Sequence, residues 1–308
     1  MGIRMRISTS LPADDAGVPD LAMAQHLEDL GFDGVSVPDL LFGDGTPGVE
    51  PLAVLAAAAG RTSRIGLETG VLSLPLRPVA LVAAQVQALQ HLSGGRVVLG
   101  AGLGGFPGSP FWRAAGAPLS ERGRRADDVL AVLPRLVRGE PTDVDGEPVT
   151  LAPAAAAPPI LVGGNSEAAM RRAVLYGDGW APSLIAPADL AAKADRLREI
   201  AAELGRPVPE ISVGGHGVLN GSAAAVRAFV DNLVGLHGVS EEEAARLPVT
   251  GGPDRVAERL AAYADAGARA VTLSLDGGSW PAQAETLAEA ASRLRTGRCS
   301  RRRSRDGW

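Results

Sequence analysis

Histidine is the side chain in this sequence best suited to acid–base chemistry, and one of the four histidines differs from the others in its predicted position. His216 lies near the end of a predicted strand, between two glycines, whereas the other three lie in predicted helices. An imidazole titrates near neutral pH and can donate or accept a proton, so His216 is the candidate catalytic residue. A structural histidine with satisfied hydrogen bonds explains the position equally well. The helical histidines are His26, His91 and His237.

A second candidate is the turn Gly163-Gly164-Asn165-Ser166, which follows the apolar run ILV and precedes a predicted helix. Glycine lets a ligand approach the backbone closely, and the free N–H groups at a helix N-terminus carry partial positive charge. The turn is therefore predicted to bind a phosphate group. The alternative is a tight strand-to-helix turn in which Asn165 or Ser166 caps the helix.

A glycine-rich loop between Gly100 and Gly105 matches the GxGxxG pattern of dinucleotide-binding folds. That fold needs a helix directly after the loop, and Pro107 and Pro110 oppose one. The loop is instead predicted to give room to a flat ligand. Four aromatic residues fall in or beside predicted loops at the same end of the strands, where they either face a planar ligand or pack the loops: Phe106, Phe111, Trp112 and Trp180.

Motifs of several other chemistries are missing from the sequence. It has no HxH or HExxH pair and no cluster of carboxylates at the predicted strand ends, which argues against a dedicated metal site. It has neither the GxSxG elbow of an α/β-hydrolase nor the GxxxxGK[ST] loop of a P-loop enzyme. The single cysteine, Cys299, can form no internal disulfide.

These candidate residues need a scaffold that brings several strand ends together. Short apolar strands alternate with Ala- and Leu-rich helices, which predicts parallel strands separated by helices. Eight such units predict a (β/α)₈ TIM barrel over residues 1–296, a single domain with its active site and insertions at the C-terminal ends of the strands. An open doubly wound sheet is the alternative. The predicted strands are residues 3–10, 34–38, 65–72, 96–100, 159–163, 179–183, 211–219 and 270–275.

Two segments interrupt the alternation of strands and helices. Residues 139–158 are rich in proline and alanine around a possible hairpin, and we expect them to cap the barrel. Residues 239–250 form a second insertion before the helix that opens near Pro253. Neither is long enough to hold a core of its own, so both are interpreted as elaborations of one domain.

Composition and charge narrow the class of protein. The 308 residues are 46% hydrophobic and 21% charged with a net charge of −5, which is typical of a globular chain. The arginine-rich segment 297–308 is predicted to be a disordered tail, which leaves an acidic body that disfavours nucleic-acid binding. No apolar run is long enough for a membrane span. The first residues lack a signal-peptide core, so we expect a cytoplasmic protein.

Taken together, the motifs resemble those of the luciferase-like monooxygenase superfamily. That superfamily includes bacterial luciferase, FMN-dependent monooxygenases and enzymes that use the deazaflavin coenzyme F-420. The resemblance rests on six ordered segments. They are LEDLGFDGVSVPD (27–39), RIGLETGVLSLPLRP (64–78), ALQHLSGGRVVLGAGLGG (88–105), ERGRRADDVL (121–130), PPILVGGNSEAAMRRAVLYGDGW (158–180) and GPDRVAERLAAYADAGARAV (252–271).

The resemblance implies that a flavin ring lies in the barrel mouth against Thr69-Gly70-Val71, where a cis peptide bond would join Gly70 to Val71. It places the cofactor phosphate at Gly163, Gly164 and the N–H groups near Asn165 and Ser166. Asp39 matches the acid after the second strand. Two departures are the lack of a histidine after that acid, where Leu40 stands, and of a glutamate near Gly105. The implied cofactor-binding set is Asp39, Thr69, Gly70, Val71, Gly102, Gly163, Gly164, Asn165, Ser166 and Trp180.

Three functions follow as hypotheses. The first is a flavin-dependent monooxygenase that uses reduced FMN, supplied by a separate flavin reductase, and O₂ on a small apolar organic substrate in a dry pocket. The second is hydride transfer with coenzyme F-420, whose polyglutamate tail would need Arg77, Arg113 or Arg122 near the rim. The third, prompted by Leu40, is a non-catalytic flavin-binding barrel. The resemblance also implies a homodimer, in which the Ala-rich helix 51–59 could pack against its copy.

Overall fold

The computed structural model describes residues 5–104 and 108–296. The predicted tail 297–308, together with Gly105, Phe106 and Pro107, lies outside the described residues. Among the described residues, no helix combines the length and the hydropathy that a membrane span requires.

Eight parallel strands close into a barrel, as the sequence pattern predicts. In chain order the strands of the structure are β1 (Arg6–Ser10), β2 (Gly34–Val37), β3 (Gly66–Thr69), β4 (Leu72–Ser73), β5 (Val97–Gly102), β6 (Thr142–Val144), β7 (Glu147–Val149), β8 (Ile160–Gly163), β9 (Gly179–Ala181), β10 (Glu210–Leu219), β11 (Val249–Gly251) and β12 (Ala270–Leu275). The barrel order is β10-β12-β1-β2-β3-β5-β8-β9, and pairing of β9 with β10 closes it. The short strands β4 and β11 add to β5 and β10.

The helices surround the barrel. They are α1 (Ala22–Leu30), α2 (Pro51–Ala59), α3 (Val79–Ser93), α4 (Pro110–Ala114), α5 (Arg122–Val137), α6 (Glu167–Tyr176), α7 (Pro187–Glu203), α8 (Ala223–His237), α9 (Glu241–Arg246), α10 (Pro253–Asp265) and α11 (Trp280–Thr296). Local sequence sets their ends. The Ser166, Ser222 and Ser240 side chains cap α6, α8 and α9, because each hydroxyl accepts a bond from the first turn. Left-handed glycines end α1, α3 and α8.

The hydrophobic core lies between the strands and the helices, not inside the barrel. Leu27, Leu55, Leu67, Leu99 and Leu133 are fully buried in this layer. Barrel interiors are ordinarily filled with layers of Val, Ile and Leu. Here much of the interior is small or polar, and a large cavity remains at the C-terminal end of the strands.

The segment 139–158 forms the predicted hairpin, β6–β7, but it does not cap the barrel mouth. It connects the end of α5 to the start of β8, which places it at the N-terminal end of the strands. Gln90 and His91, in the last turn of α3, contact the backbone oxygens of Ala156 and Pro153 at 2.7 and 3.1 Å. The expectation that this insertion shapes the catalytic face is therefore wrong.

The second insertion lies at the catalytic end. Helix α9 leads into β11, which pairs with the C-terminal part of β10. A small separate core holds α8 and α9 together and consists of Val218, Phe229, Val230, Leu233, Ala244 and Leu247. This core supports the end of β10, where the predicted catalytic histidine lies.

Glu28 links α1 to the loop before β3. Its carboxylate accepts backbone N–H bonds from Ser63, Arg64 and Ile65 at 2.9, 2.5 and 2.8 Å. Desolvation acts to raise the pKa of Glu28, but these bonds outweigh it and lower the pKa from 4.5 to about 2. Because the folded-state pKa is depressed, Glu28 stabilises the fold above pH 4.5 and loses that contribution as the pH falls toward 2.

We expect Glu28→Gln to lower the free energy of unfolding at pH 7 by about 2 kcal/mol, since the charge that attracts three N–H donors is lost. Urea denaturation at pH 7 and pH 3 measures the effect. The difference in the free energy of unfolding between Glu28→Gln and the wild type should be smaller at pH 3. Glu285→Gln, on an exposed residue of α11, is the matched control and should leave stability unchanged. Equal stability of Glu28→Gln and wild type at pH 7 would contradict the assignment.

Candidate active site

A cavity of about 940 Å³ opens at the C-terminal ends of the barrel strands. Its size is at the upper end for ligand pockets and suits a cofactor together with a small substrate. Apolar side chains surround its mouth and form what we call the apolar rim: Leu40, Phe42, Pro110 and Leu184.

One side of the cavity is rich in glycine, with Thr69, Val71 and Leu161 beside the glycines. We call it the glycine wall: Gly70, Gly100, Gly163 and Gly164, at the ends of β3, β5 and β8. These four positions carry no side chain, but the Val71 side chain lies beside Gly100 and Gly163, 3.0 and 3.1 Å from where their Cβ atoms would be, so the wall consists of backbone together with Val71. The cis peptide bond expected between Gly70 and Val71 is present at its edge. The hydroxyl of Thr69 donates to the carbonyl of Gly100 at 2.8 Å and so links β3 to β5.

The predicted phosphate turn lies at the end of this wall. Gly164 has a φ of +121°, a conformation that favours glycine, and α6 begins three residues later. The Ser166 hydroxyl accepts from the N–H of Ala169 at 3.2 Å, so the predicted cap is present. Lys193 donates to the carbonyl oxygen of Asn165 at 2.9 Å and brings a positive charge to the turn. The site therefore offers both exposed helix N–H groups and a cation.

Asn165 has a structural role in this turn. Its side chain donates to the carbonyl of Ser183 at 2.7 Å and accepts from the N–H of Ser183 at 3.0 Å. These two hydrogen bonds hold the turn after β8 against the segment after β9. A ligand at the turn would therefore meet the backbone of Asn165 and not its side chain.

Asp39 supports the cavity from behind. Its side chain is 1% exposed, and Oδ2 accepts from the N–H of Ser73 at 2.9 Å and from Arg77 at 2.6 Å. Arg77 also pairs with Glu50 at 3.1 Å. The other oxygen, Oδ1, is buried with no hydrogen-bond partner among the described residues. Asp39 does not line the cavity, so its predicted cofactor contact is corrected to support of the segment after β3.

Gly102 and Trp180 also lie behind the glycine wall and not on the cavity surface. A methyl group on Gly102 would lie 2.5 Å from Cγ2 of Val71, so glycine is needed there for close packing. Trp180 is fully buried, and its Nε1 donates to the carbonyl of Gly164 at 2.7 Å. Their predicted contacts with the cofactor are therefore corrected to support of the wall.

Of the two alternatives for the aromatic residues, the structure shows packing of the loops for Phe111 and Trp112. Trp112 is 2% exposed and packs beneath Gly104, and Phe111 does not line the cavity. The apolar residues that line the cavity here are instead Leu40 and Phe42, from the loop after β2. In the sequence, Leu40 stands out only as a departure from the family and Phe42 is not singled out, because residues 40–50 carry no motif.

The side opposite the glycine wall is polar. We call it the polar wall: Ser10, Ser212, His216, Thr272 and Ser274, on β1, β10 and β12. In the closed order, β12 and β5 are four strands apart in both directions, so the two walls face each other. The hydroxyls of Ser10 and Ser274 lie 2.8 Å apart and join β1 to β12.

His216 stands on the polar wall with a carboxylate behind it. Its Nδ1 lies 2.7 Å from Oδ2 of Asp276, which follows β12. Its ring packs against Phe229, with 5.1 Å between the ring centroids. An acceptor at Nδ1 fixes the ring orientation and favours Nε2 as the reactive nitrogen. The arrangement can take up or release a proton at the cavity surface.

Glu68 is a cavity residue that sequence reasoning missed. It lies on β3 and lines the cavity, where Ser8 and Thr272 donate to its two carboxylate oxygens at 2.8 and 3.3 Å. Burial raises its pKa above the ordinary value. A charged residue inside an otherwise apolar strand was the available signal. Within residues 5–104 and 108–296, no group of three His, Cys, Asp or Glu side chains could hold a metal ion.

Comparison with known proteins agrees with this geometry. The family model described as luciferase-like monooxygenase matches residues 19–234. An uncharacterized protein of Mycobacterium tuberculosis is 31% identical over 263 residues, which cover 76% of this chain and 87% of that protein. Limonene 1,2-monooxygenase of Rhodococcus erythropolis is 36% identical over 121 residues, 39% of this chain and 31% of that enzyme.

An F420-dependent enzyme is also similar. The F420-dependent glucose-6-phosphate dehydrogenase of Nakamurella multipartita is 31% identical over 224 residues, 67% of this chain and 65% of that enzyme. Among solved structures, an F420-dependent secondary alcohol dehydrogenase superposes with a TM-score of 0.79 at 18% identity and covers 94% of this chain and 99% of that one. The family model matches residues 19–234, most of the barrel, which leads to one conclusion: the chain belongs to the luciferase-like monooxygenase family.

Proposed function

We propose that this protein is a flavin-dependent monooxygenase that uses reduced FMN and O₂ to oxidise a small organic molecule. The observation that carries the proposal is the glycine wall, which ends in the phosphate turn and faces a proton-transferring histidine across one cavity. A flat ring, a phosphate and a substrate each find a surface of suitable chemistry there.

The residues present fit such a cofactor. The glycine wall, together with the Val71 side chain, offers a surface without long side chains to a planar ring, and the cavity is large enough for the ring and a substrate together. At the turn, the exposed backbone before α6 and the nearby Lys193 suit a single phosphate group. When bound, reduced FMN would supply the electrons for the reaction with O₂.

The protein's own residues would bind, orient and shield the reactants. The glycine wall would hold the ring flat, while the turn at Gly164 would fix its phosphate end. Leu40, Phe42 and the other rim residues would exclude water from the cavity. His216, oriented by Asp276, would move a proton to or from the substrate at Nε2.

The basic residues favour FMN over coenzyme F-420. Arg77, one of three residues predicted to meet the polyglutamate tail, is 11% exposed and held by Asp39 and Glu50. Arg113 and Arg122 lie outside the cavity lining, which contains no lysine or arginine among the described residues. A tail of several carboxylates would need more positive charge than this rim shows, whereas one phosphate would not.

Hydride transfer with coenzyme F-420 is the second candidate. The His216–Asp276 pair favours it, because removing hydride from an alcohol requires a base for the hydroxyl proton. The similarity to an F420-dependent dehydrogenase also supports it. We further propose a separate flavin reductase as partner of the FMN enzyme, and a homodimer in which the exposed Ala53 and Ala57 of α2 contact the second copy.

Anaerobic titration of the purified protein with reduced FMN and with reduced coenzyme F-420, followed by absorbance, tests the proposal. We expect FMN to bind at least about 10-fold more tightly, since the rim supplies one phosphate site and little charge for a tail. Preferential binding of coenzyme F-420 would overturn the FMN proposal in favour of the second candidate. A folded protein that binds neither would point to a non-catalytic barrel.

A further inference from the structure

The side chain of Glu68 crosses the barrel interior. It starts on β3, yet its carboxyl group bonds Ser8 on β1 and Thr272 on β12, two and three strands away. Gly34 on the intervening β2 makes this path possible, because any side chain there would collide with Oε1 of Glu68. The carboxyl group therefore belongs to the polar wall, although its backbone lies beside the glycine wall.

This position separates the carboxyl group from the proposed cofactor surface. The glycine wall is formed by β3, β5 and β8, whereas the groups that hold the Glu68 carboxyl lie on β1 and β12. Above it on the same side are the paired hydroxyls of Ser10 and Ser274, with His216 next to Ser274 in the register of β10 and β12. A substrate that stacks between the two walls would present its polar end to these groups.

The charges around the cavity set a preference for one class of ligand. Among the described lining residues, the ionisable side chains are Asp44, Glu68 and His216, and none is lysine or arginine. Asp44 lies exposed at the mouth, where water screens it. The Glu68 carboxyl group already accepts from Ser8 and Thr272 and has further lone pairs free to accept from a ligand, whereas an anionic group brings no proton to donate to it. A donor N–H or O–H group would instead be bound.

We infer that the substrate carries a hydroxyl or amino group that hydrogen-bonds to Glu68, with an apolar remainder against the rim, and that carboxylates, sulfonates and phosphates are rejected. This inference rests on the proposed function, because it takes the glycine wall to be the cofactor side. Glu68 thereby determines substrate specificity, and the interior of the barrel discriminates by charge.

Three probes with the same carbon chain test this inference: 1-hexylamine, 1-hexanol and hexanoate. Binding to the full-length protein, with and without FMN, is measured by ligand-observed NMR titration. In the wild type we expect the amine and the alcohol to bind at least about 10-fold more tightly than hexanoate, the size of effect expected for hydrogen bonds to a charged group. Hexanoate binding as tightly as the other two would overturn the inference without any variant.

The variant Glu68→Gln isolates the carboxyl group. It should weaken the binding of hexylamine about 10-fold or more and bring its affinity closer to that of hexanoate. The affinity for FMN should stay unchanged. Glu285→Gln on α11 is the matched control and should change nothing. If Glu68→Gln does not fold, Glu68→Asp serves instead, because its shorter side chain withdraws the carboxylate from Ser8 and Thr272.

The outcomes distinguish this inference from the proposed function. Unchanged amine binding in Glu68→Gln would overturn the role of Glu68. Loss of FMN affinity in that variant would overturn it too, since the carboxyl group would then serve the cofactor. Probe discrimination that depends on Glu68 in a protein that binds no FMN would support the inference while contradicting the proposed cofactor.

Discussion

Replacing His216 with alanine is expected to lower kcat by about 100-fold or more, the usual size of a general acid–base contribution. The reason is geometric: His216 lies on the cavity surface, and Asp276 holds its Nδ1 at 2.7 Å. Single-turnover formation of product, with a substrate found in the binding experiments and with excess reduced FMN, measures the effect. FMN affinity should not change, because His216 lies on the polar wall.

Two variants make the His216 prediction specific. Asp276→Asn keeps the shape of the pair but weakens the acceptor at Nδ1, so it should also lower kcat and shift its pH profile. His91→Ala removes an exposed histidine in the last turn of α3, at the opposite end of the barrel, and should leave kcat at the wild-type value. A wild-type kcat for His216→Ala would show that the residue is structural.

Gly164→Leu is expected to weaken FMN binding by about 100-fold or more, the equivalent of two lost hydrogen bonds to a charged group. The φ of +121° at Gly164 is one that leucine resists, so the turn must change and its N–H groups move away from the phosphate. An added Cβ would also lie 3.1 Å from Ala169, against the first turn of α6. The affinity is measured by absorbance titration and the fold by circular dichroism.

The control for this variant is another left-handed glycine away from the site. Gly205 follows α7 with a φ of +61°, and nothing lies within 4 Å of an added Cβ. Gly205→Leu also forces leucine into a positive φ, with less strain because +61° lies in the left-handed α region, and FMN affinity should stay at the wild-type level. An unchanged FMN affinity in Gly164→Leu would contradict the assignment of the phosphate site to this turn.

Sequence reasoning predicted the elements of the barrel because their signals are local. The alternation of apolar strands with helices, the serine caps and the terminal glycines act over a few residues, and the structure contains all eight predicted barrel strands. The sequence also showed which residues lie at the ends of strands. Because parallel strands in a barrel have their C-terminal ends on the same side, His216, Gly163 and Gly164 line one cavity.

The sequence by itself thus determined the fold, the family and the end of the barrel where ligands bind. Tertiary structure alone decided which side chains reach the cavity. Trp180 and Asp39 carry polar groups that burial must satisfy, so they turn inward to Gly164 and Arg77, while Glu68 crosses over Gly34 to partners 60 and 204 residues away. Such contacts depend on how a closed sheet brings distant strands together, and no local pattern of residues encodes that distance.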